Sequence, residues 1–552
     1  MSNINLLWNS YRYLPYEREL AKKEVIALCN ATPRVGEKGL EIPKDGLALQ
    51  VFDRLTYFSA VTFPDGSIRT PDQARLETAY WRKKAGSNEK RCIKRQSTRY
   101  SAHGLHEYRG KFNPQIVRAV GNIIRLPVGA WVLDPFCGSG TTLLECAHVG
   151  WNGLGIDLNP LGIAITKAKI KAIHTPVSQL RGAAEALSQS LLGATIDTDY
   201  ERSWSKREIE KVAGAGWADT LPNVDYLESW FKPPVLAQFA AILQHIDEKV
   251  DQNLTSIFKV ILSDVVREAS LQEPADLRIR RRKNPTPNYP VIPSFLTTMA
   301  NKLTNVYTTL EEITPDDFSQ RAILADSRLP FRSAMRSSGG LDYCEFDCAI
   351  TSPPYATALP YIDTQRLSLC LLGLLESGEI AKVDRSMVGT RELTERNRKD
   401  IETKIRETDE NGLPQSVLNL CSKMLRLAAL PDNGFRRRNM PALIHTYFTD
   451  MAQVMGNVQS VLKPGGIFAL VIGRNKTVLG NESVIIDTPQ LLVDTALKGG
   501  WDIQEIIELD TYQRYDMHQR NSIRTEQLVL LRKPQSKGHS QTDDVAVSQS
   551  DT

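Results

Sequence analysis

The sharpest alternation of apolar and polar positions lies between residues 128 and 173. "AWVLDPF" is a short apolar run bounded by turn residues, and "CGSGTT" is a tight turn. "LLECAHVG" has the spacing of an amphipathic helix closed by Gly150. "WNGLGIDL" is a second apolar run, and "NPLGIAITKAKIKAI" a second helix. Strand, helix and strand at this spacing predict a βαβ unit with two parallel strands.

The rhythm then breaks. Residues 174–320 are mainly helical in pattern, with "SQLRGAAEALSQSLL", "VLAQFAAILQHIDEKV" and "TSIFKVILSDVVREASL" as its clearest segments. Strand signals resume at "RAILADSRLP" and "FDCAITSPPY", and a charge-rich stretch covers 372–440. "MPALIHTYFTDMAQVMGNVQSVL" reads as a long amphipathic helix ended by "KPGG". The strand "IFALVIG", the helix "TPQLLVDTALKGG" and two strands, "WDIQEIIEL" and "EQLVLLR", follow. Seven strands result, centred near 131, 154, 323, 348, 468, 504 and 528. No helix separates the last two, so they are expected to pair as a hairpin. The fold class is therefore α/β: a doubly wound sheet with one antiparallel strand, interrupted by largely helical insertions. The boundaries expected are catalytic segments at 101–173, 321–371 and 441–533, insertions at 174–320 and 372–440, and a polar, disordered tail at 534–552. Residues 1–100 give no fold.

Composition changes this picture little. The 552 residues are 41% hydrophobic and 24% charged, as in an ordinary globular protein. No run of eighteen apolar residues occurs, so no membrane span is expected. The first twenty residues lack a basic segment followed by an apolar core, so a secretory signal is not expected. Eight cysteines are scattered; Cys344 and Cys348 have no second Cys/His pair nearby, which predicts no metal site and reduced thiols in a cytoplasmic protein. The net charge is only +4, but "WRKKAGSNEKRCIKRQSTR", "RIRRRK" and "FRRRN" are locally basic. Each is compatible with a solvated face; three together are compatible with a polyanionic partner.

"DPFCGSGTT" follows a strand and opens a helix. Gly138 and Gly140 let the backbone pass close to a ligand, and the helix N-terminus offers free N–H groups. The third glycine of a dinucleotide fingerprint is missing, and no Walker-type Lys-Ser/Thr ending follows. Asp157 ends the next strand, where a carboxylate can accept from two ribose hydroxyls. A nucleoside carrying a compact zwitterion fits better than a phosphate chain. Asp134 is then a receiver for an ammonium group, and Thr141 with the turn N–H groups for a carboxylate. Asp326, in "LADSRLP", is placed to accept from an adenine amino group, or simply to cap its own turn.

"DPFCGSGTT", "GIDLNP" and "TSPPY" together resemble the S-adenosylmethionine-dependent DNA methyltransferases that modify exocyclic amino groups. The resemblance implies a Rossmann-like seven-stranded methyltransferase sheet. It also implies that the glycine turn, with Phe136, binds the methionine end of the cofactor, that Asp157 binds the ribose, and that the Pro-Pro turn holds the target base. "HEYRGKFNPQIVRAV" resembles the family's segment that packs on the cofactor, with Lys111, Phe112 and Pro114 at its matching core. "VLKPGGIFALVIG" resembles methyltransferases more widely. The partner implied is double-stranded DNA, with a restriction or defence-system partner as a further expectation.

The chemistry accounts for "SPPY". An exocyclic amine is a weak nucleophile because its lone pair is delocalised into the ring. Acceptors on its hydrogens can hold it in a more tetrahedral geometry, and Ser352 and the Pro353 carbonyl stand where the family places them. Pro353 and Pro354 stiffen the turn, so the acceptors are preorganised, and Tyr355 offers a face to a base rotated out of the duplex. No Pro-Cys dipeptide exists for attack on ring carbon. The leading serine favours cytosine N4, with adenine N6 as the alternative. An RNA amino-group methyltransferase and an inactive DNA-binding subunit remain rival readings. Little chain follows the last strand, so target recognition is expected within the insertions or the N-terminal region. Arg280, Arg281 and Arg282 are its candidate DNA contacts, or else cover a helix face, and "TYQRYDMHQRNSIRT" is a second candidate rim.

Overall fold

The computed structural model describes residues 3–43, 48–85, 96–108, 110–194, 205–273, 276, 279–284, 289–313, 315, 318–337, 345–356, 360–407, 412–431, 433–510 and 525–535. The loop 511–524, most of the basic stretch after Lys84 and the tail beyond 535 lie outside them, as does Cys344.

The first hundred residues form an antiparallel sheet that no periodicity in the sequence announced. Its strands are β1 (Asn3–Trp8), β2 (Arg34–Val35), β3 (Gly39–Pro43), β4 (Phe58–Thr62) and β5 (Ile68–Arg69), in the order β2-β3-β1-β4-β5. The main sheet contains β6 (Trp131–Asp134), β7 (Asn152–Asp157), β8 (Gln320–Leu324), β9 (Phe346–Thr351) and β10 (Leu462–Gly473). A separate hairpin, β11 (Asn475–Leu479) with β12 (Glu482–Ile486), precedes its last two strands, β13 (Asp502–Asp510) and β14 (Thr525–Arg532). The order is β13-β14-β10-β9-β6-β7-β8. The strands β8, β7, β6, β9 and β10 are parallel, and β14 runs antiparallel between β10 and β13. The expected C-terminal hairpin is thus present and supplies the antiparallel strand.

Two buried layers explain why the strands are apolar throughout. Val132, Cys348, Ile350, Ala469, Val471, Leu528 and Leu530 point into one core, shared with Ile4, Leu6, Leu20 and Phe58. Their neighbours Leu133, Ala349, Phe468, Leu470, Val529 and Leu531 point into the other, against Phe448, Val454 and Leu492. Successive side chains on a strand face opposite ways, so a sheet covered on both faces is apolar at every position. The N-terminal sheet and helix Pro15–Cys29 therefore cover one face, and helices Phe435–Val461 and Thr488–Lys498 the other. "KPGG" does not separate helix from strand: β10 begins at Leu462, and the register shift between Leu462 and Ile467 absorbs these residues.

Helices Val177–Ala194, Pro233–Lys249, Thr255–Ala269 and Val291–Glu312 bury their apolar faces in a third core continuous with Leu161, Ile165 and Ala168. Among the described residues no helix is long and apolar enough to cross a membrane.

Candidate active site

From β6 the chain first builds outward to β7 and β8, then returns to add β9 on the other side of β6. In such sheets ligands bind beyond the carboxyl ends of the strands at that reversal. A cavity lies there. Its walls come from Phe136, Gly138 and Thr141 after β6, Asp157 after β7, Asp326 after β8, and Ser352 with Pro354 after β9. Lys111 and Phe112 close another side.

The glycine turn is held by its own backbone partners. Gly138 has φ 47° and Gly140 φ 78°, left-handed conformations that glycine adopts without penalty. The Gly138 N–H donates to Asp157 Oδ2 at 2.8 Å, and the Asn159 N–H donates to Asp157 Oδ1 at 2.8 Å. Burial pushes the Asp157 carboxyl up, against these backbone donors. A Cβ on Gly138 would come within 3.3 Å of the Tyr108 ring. Helix Pro160–Ile173 grips the turn from below through Gly162, Thr166 and Lys169, which share one face at i, i+4 and i+7. Gly162 permits the approach: a Cβ there would lie 2.9 Å from the Gly138 oxygen. Thr166 Oγ1 donates to the Gly138 carbonyl at 2.9 Å and Lys169 Nζ to the Ser139 carbonyl at 2.9 Å. Lys169 is 1% exposed, and burial holds its amine well below the usual lysine range.

Not every expected residue faces the cavity. Asp134 is 1% exposed and sits behind it, accepting from the Phe136 N–H at 3.1 Å and from Thr351 Oγ1 at 2.6 Å. Burial pushes its carboxyl up to about 6. Gly140 also points away; a Cβ there would meet Thr166 Cγ2 at 2.6 Å. Asp326 faces the cavity but is gripped by Arg328, with Nε–Oδ1 at 2.9 Å and Nη2–Oδ2 at 2.7 Å. Lys111 Nζ donates to the Thr98 carbonyl at 2.8 Å, and burial brings its amine down to about 8.

In the "SPPY" turn, Pro353 is buried, and the Tyr355 hydroxyl donates to Glu526 on β14. Asn475 Nδ2 donates to the Ala356 carbonyl at 2.6 Å. The turn is thus fixed from β11, β14 and β6 together. The three arginines lie apart from this cavity. Arg281 donates to the Ser229 carbonyl and stacks over Trp230, with its guanidinium 5.4 Å from the ring centre. Arg282 donates to the carbonyls of Gln272 and Glu268, both at 3.0 Å. Arg280 is 67% exposed, with Asp276 4.0 Å away.

Sequence reasoning passed over Tyr108, Tyr361, Met387 and Val388, which also line the cavity. The two tyrosines stand inside the segments that drew notice for other residues. Met387 and Val388 come from a polar stretch with no local signal.

Residues 68–168 match the N6_N4_Mtase family model, described as DNA methylase. Over this segment the chain is similar to the DNA methylases of that family. The chain is 26% identical to Type II methyltransferase M.MvaI of Kocuria varians, over 69% of this chain and 78% of that one. It is 24% identical to Type II methyltransferase M.BsoBI of Geobacillus stearothermophilus, over 67% of this chain and 74% of that one. A shorter match, 30% identical, joins 20% of this chain to 34% of a tRNA (guanine(10)-N2)-dimethyltransferase of Methanocaldococcus jannaschii.

The methylase family and the fold imply S-adenosylmethionine as methyl donor. The cavity suits it. Thr141 opens a helix whose first N–H groups can meet a carboxylate, Asp157 can meet a diol, and Phe112, Phe136 and Leu158 give apolar walls for a purine.

Proposed function

We propose that the protein transfers a methyl group to an exocyclic amino group of a base rotated out of duplex DNA, cytosine N4 before adenine N6. The observation that carries this reading is that Ser352 and Pro354 line the same cavity as Asp157 and Thr141. One cavity can therefore bring the methyl donor to the acceptor amine. When bound, the donor supplies an electrophilic methyl on a sulfonium sulfur. Ser352 Oγ and the Pro353 carbonyl accept from the amine hydrogens and turn its lone pair toward that methyl. With the donor bound, the amine nitrogen would take the methyl as the sulfur–methyl bond breaks, and would release its proton to solvent. Asp157 holds the ribose, and the Thr141 helix start holds the carboxylate. Asp134, from behind the cavity, orients the backbone of the glycine turn.

The leading serine of the turn supports cytosine, and the match of residues 68–168 to a DNA methylase family model supports DNA. The test is mass spectrometry of nucleosides from duplex DNA incubated with the protein and S-adenosylmethionine. N4-methylcytosine is expected. N6-methyladenine would correct the base, and 5-methylcytosine alone, or no methylated DNA, would overturn the mechanism.

A further inference from the structure

A second cavity of about 390 Å³ adjoins the first and shares Tyr361, Met387 and Val388 with it. Its size lies within the range of roughly 300–1,000 Å³ usual for ligand pockets. The partition between the two is a strap, residues 387–390, that rests on the "SPPY" turn. Gly389 has φ 76°, and a Cβ there would lie 3.0 Å from the Tyr355 oxygen and 3.3 Å from Pro354 Cβ. The strap can lie this close only because position 389 is glycine.

Two of the basic clusters converge on this cavity. Ile279, inside "RIRRRK", lines it and donates its N–H to Asp363 Oδ2 at 3.1 Å. Arg436, inside "FRRRN", lines it from the first turn of helix Phe435–Val461. Four arginines and three acids, Asp363, Asp384 and Glu392, line it; Arg366 pairs with Asp363 at 2.6 Å, and Asp384 neighbours Arg385. Arg385 and Arg436 differ. Both are exposed, both line the cavity, and among the described residues neither has a hydrogen bond or ion pair. Exposed cations at a cavity rim, beside a turn built to hold an amine, have the placement of phosphate contacts.

We propose that duplex DNA docks over this second cavity, with Arg385 and Arg436 taking phosphates beside the nucleotide that enters it. The inference rests on the DNA methyltransferase reading above and assigns its docking face. Arg281 and Arg282, whose guanidinium groups bind backbone carbonyls, hold the basic segment in place beside it.

The experiment measures binding of the full chain to duplex DNA across a salt series, with the R385A/R436A and R385K/R436K variants. For R385A/R436A the expected result is at least a tenfold loss of affinity. Its slope of log K against log salt should become shallower by about 2, since each B-DNA phosphate contact contributes about 0.9. R385K/R436K should recover most of the slope, because a point charge suffices for a phosphate. Calorimetric affinity for S-adenosylmethionine should match the parent's in both. If the parent methylates DNA but R385A/R436A binds it with the parent's affinity and slope, this docking face is wrong and the methyltransferase reading stands. A parent that neither binds nor methylates duplex DNA overturns both.

Discussion

Thr351 Oγ1 donates to Asp134 Oδ1 at 2.6 Å, joining the last residue of β9 to the last residue of β6. The glycine turn begins three residues after Asp134, at Cys137, and the "SPPY" turn begins one residue after Thr351. Both groups are buried, at 1% and 0% exposure, so water cannot replace the bond. This hydrogen bond, added to the pairing of β6 with β9, ties the end of one strand to the end of the other where both turns leave the sheet. Thr351→Val should lower stability by about 1–3 kcal/mol, the usual penalty for leaving a buried acceptor short of a partner. Turnover should fall further than the loss of folded protein explains, as denaturant melts beside single-turnover rates would show. Equal turnover per folded molecule would remove this bond from the mechanism.

Asp157→Ala should weaken S-adenosylmethionine binding by roughly 1–3 kcal/mol through lost ribose hydrogen bonds. The same change releases the Gly138 N–H, so Asp157→Asn, which keeps an acceptor oxygen for it, should lose less. Isothermal calorimetry of the three proteins checks the order.

Lys169→Met should separate the turn from the fold. A buried amine replaced by an apolar side chain of similar length leaves overall stability near the parent's, whereas the Ser139 carbonyl loses its donor. Without ligand the melting temperature should change little, and the rise produced by saturating S-adenosylmethionine should shrink. An undiminished rise would mean that Lys169 does not position the turn.

Tyr355→Ala should reduce turnover on DNA, with base stacking worth about 1–3 kcal/mol at stake. Tyr355→Phe keeps the ring and removes only the hydroxyl bond to Glu526. Its loss should be smaller and shared by Glu526→Gln, whereas S-adenosylmethionine affinity should hold in all three. Kinetics at saturating cofactor distinguish the ring from the hydroxyl.

Glu24 makes a pH prediction about the N-terminal sheet. It is fully buried, accepts from the Thr56 N–H at 3.0 Å and from Asn122 Nδ2 at 3.0 Å, and burial pushes its carboxyl up to about 7. An unfolded glutamate titrates near about 4.3. Between those values the folded form keeps a proton that the unfolded form releases, so this group's contribution to stability falls as pH rises through the window. Glu24→Gln cannot titrate. The parent should therefore lose more stability than the variant between pH 5 and 8 in urea melts, and parallel profiles would show that Glu24 does not carry the effect.

The order of strands and helices was legible because each βαβ unit is local: "AWVLDPF", its turn and "WNGLGIDL" lie within thirty residues. The glycine turn was legible for the same reason, since left-handed backbone requires particular residues at particular positions. Nine of the thirteen residues assigned to cofactor and catalysis line one cavity, because strand ends at a sheet reversal converge whatever surrounds them. Tertiary structure decided the rest. The N-terminal sheet covers the main sheet through Leu6, Leu20 and Phe58, contacts more than seventy residues distant from Val132 that no periodicity encodes. Whether an arginine meets a carbonyl, as Arg281 does, or faces solvent at a cavity rim, as Arg385 does, depends on what the chain brings beside it. Local pattern tells a residue's element and face. Its partner follows only when distant segments have packed.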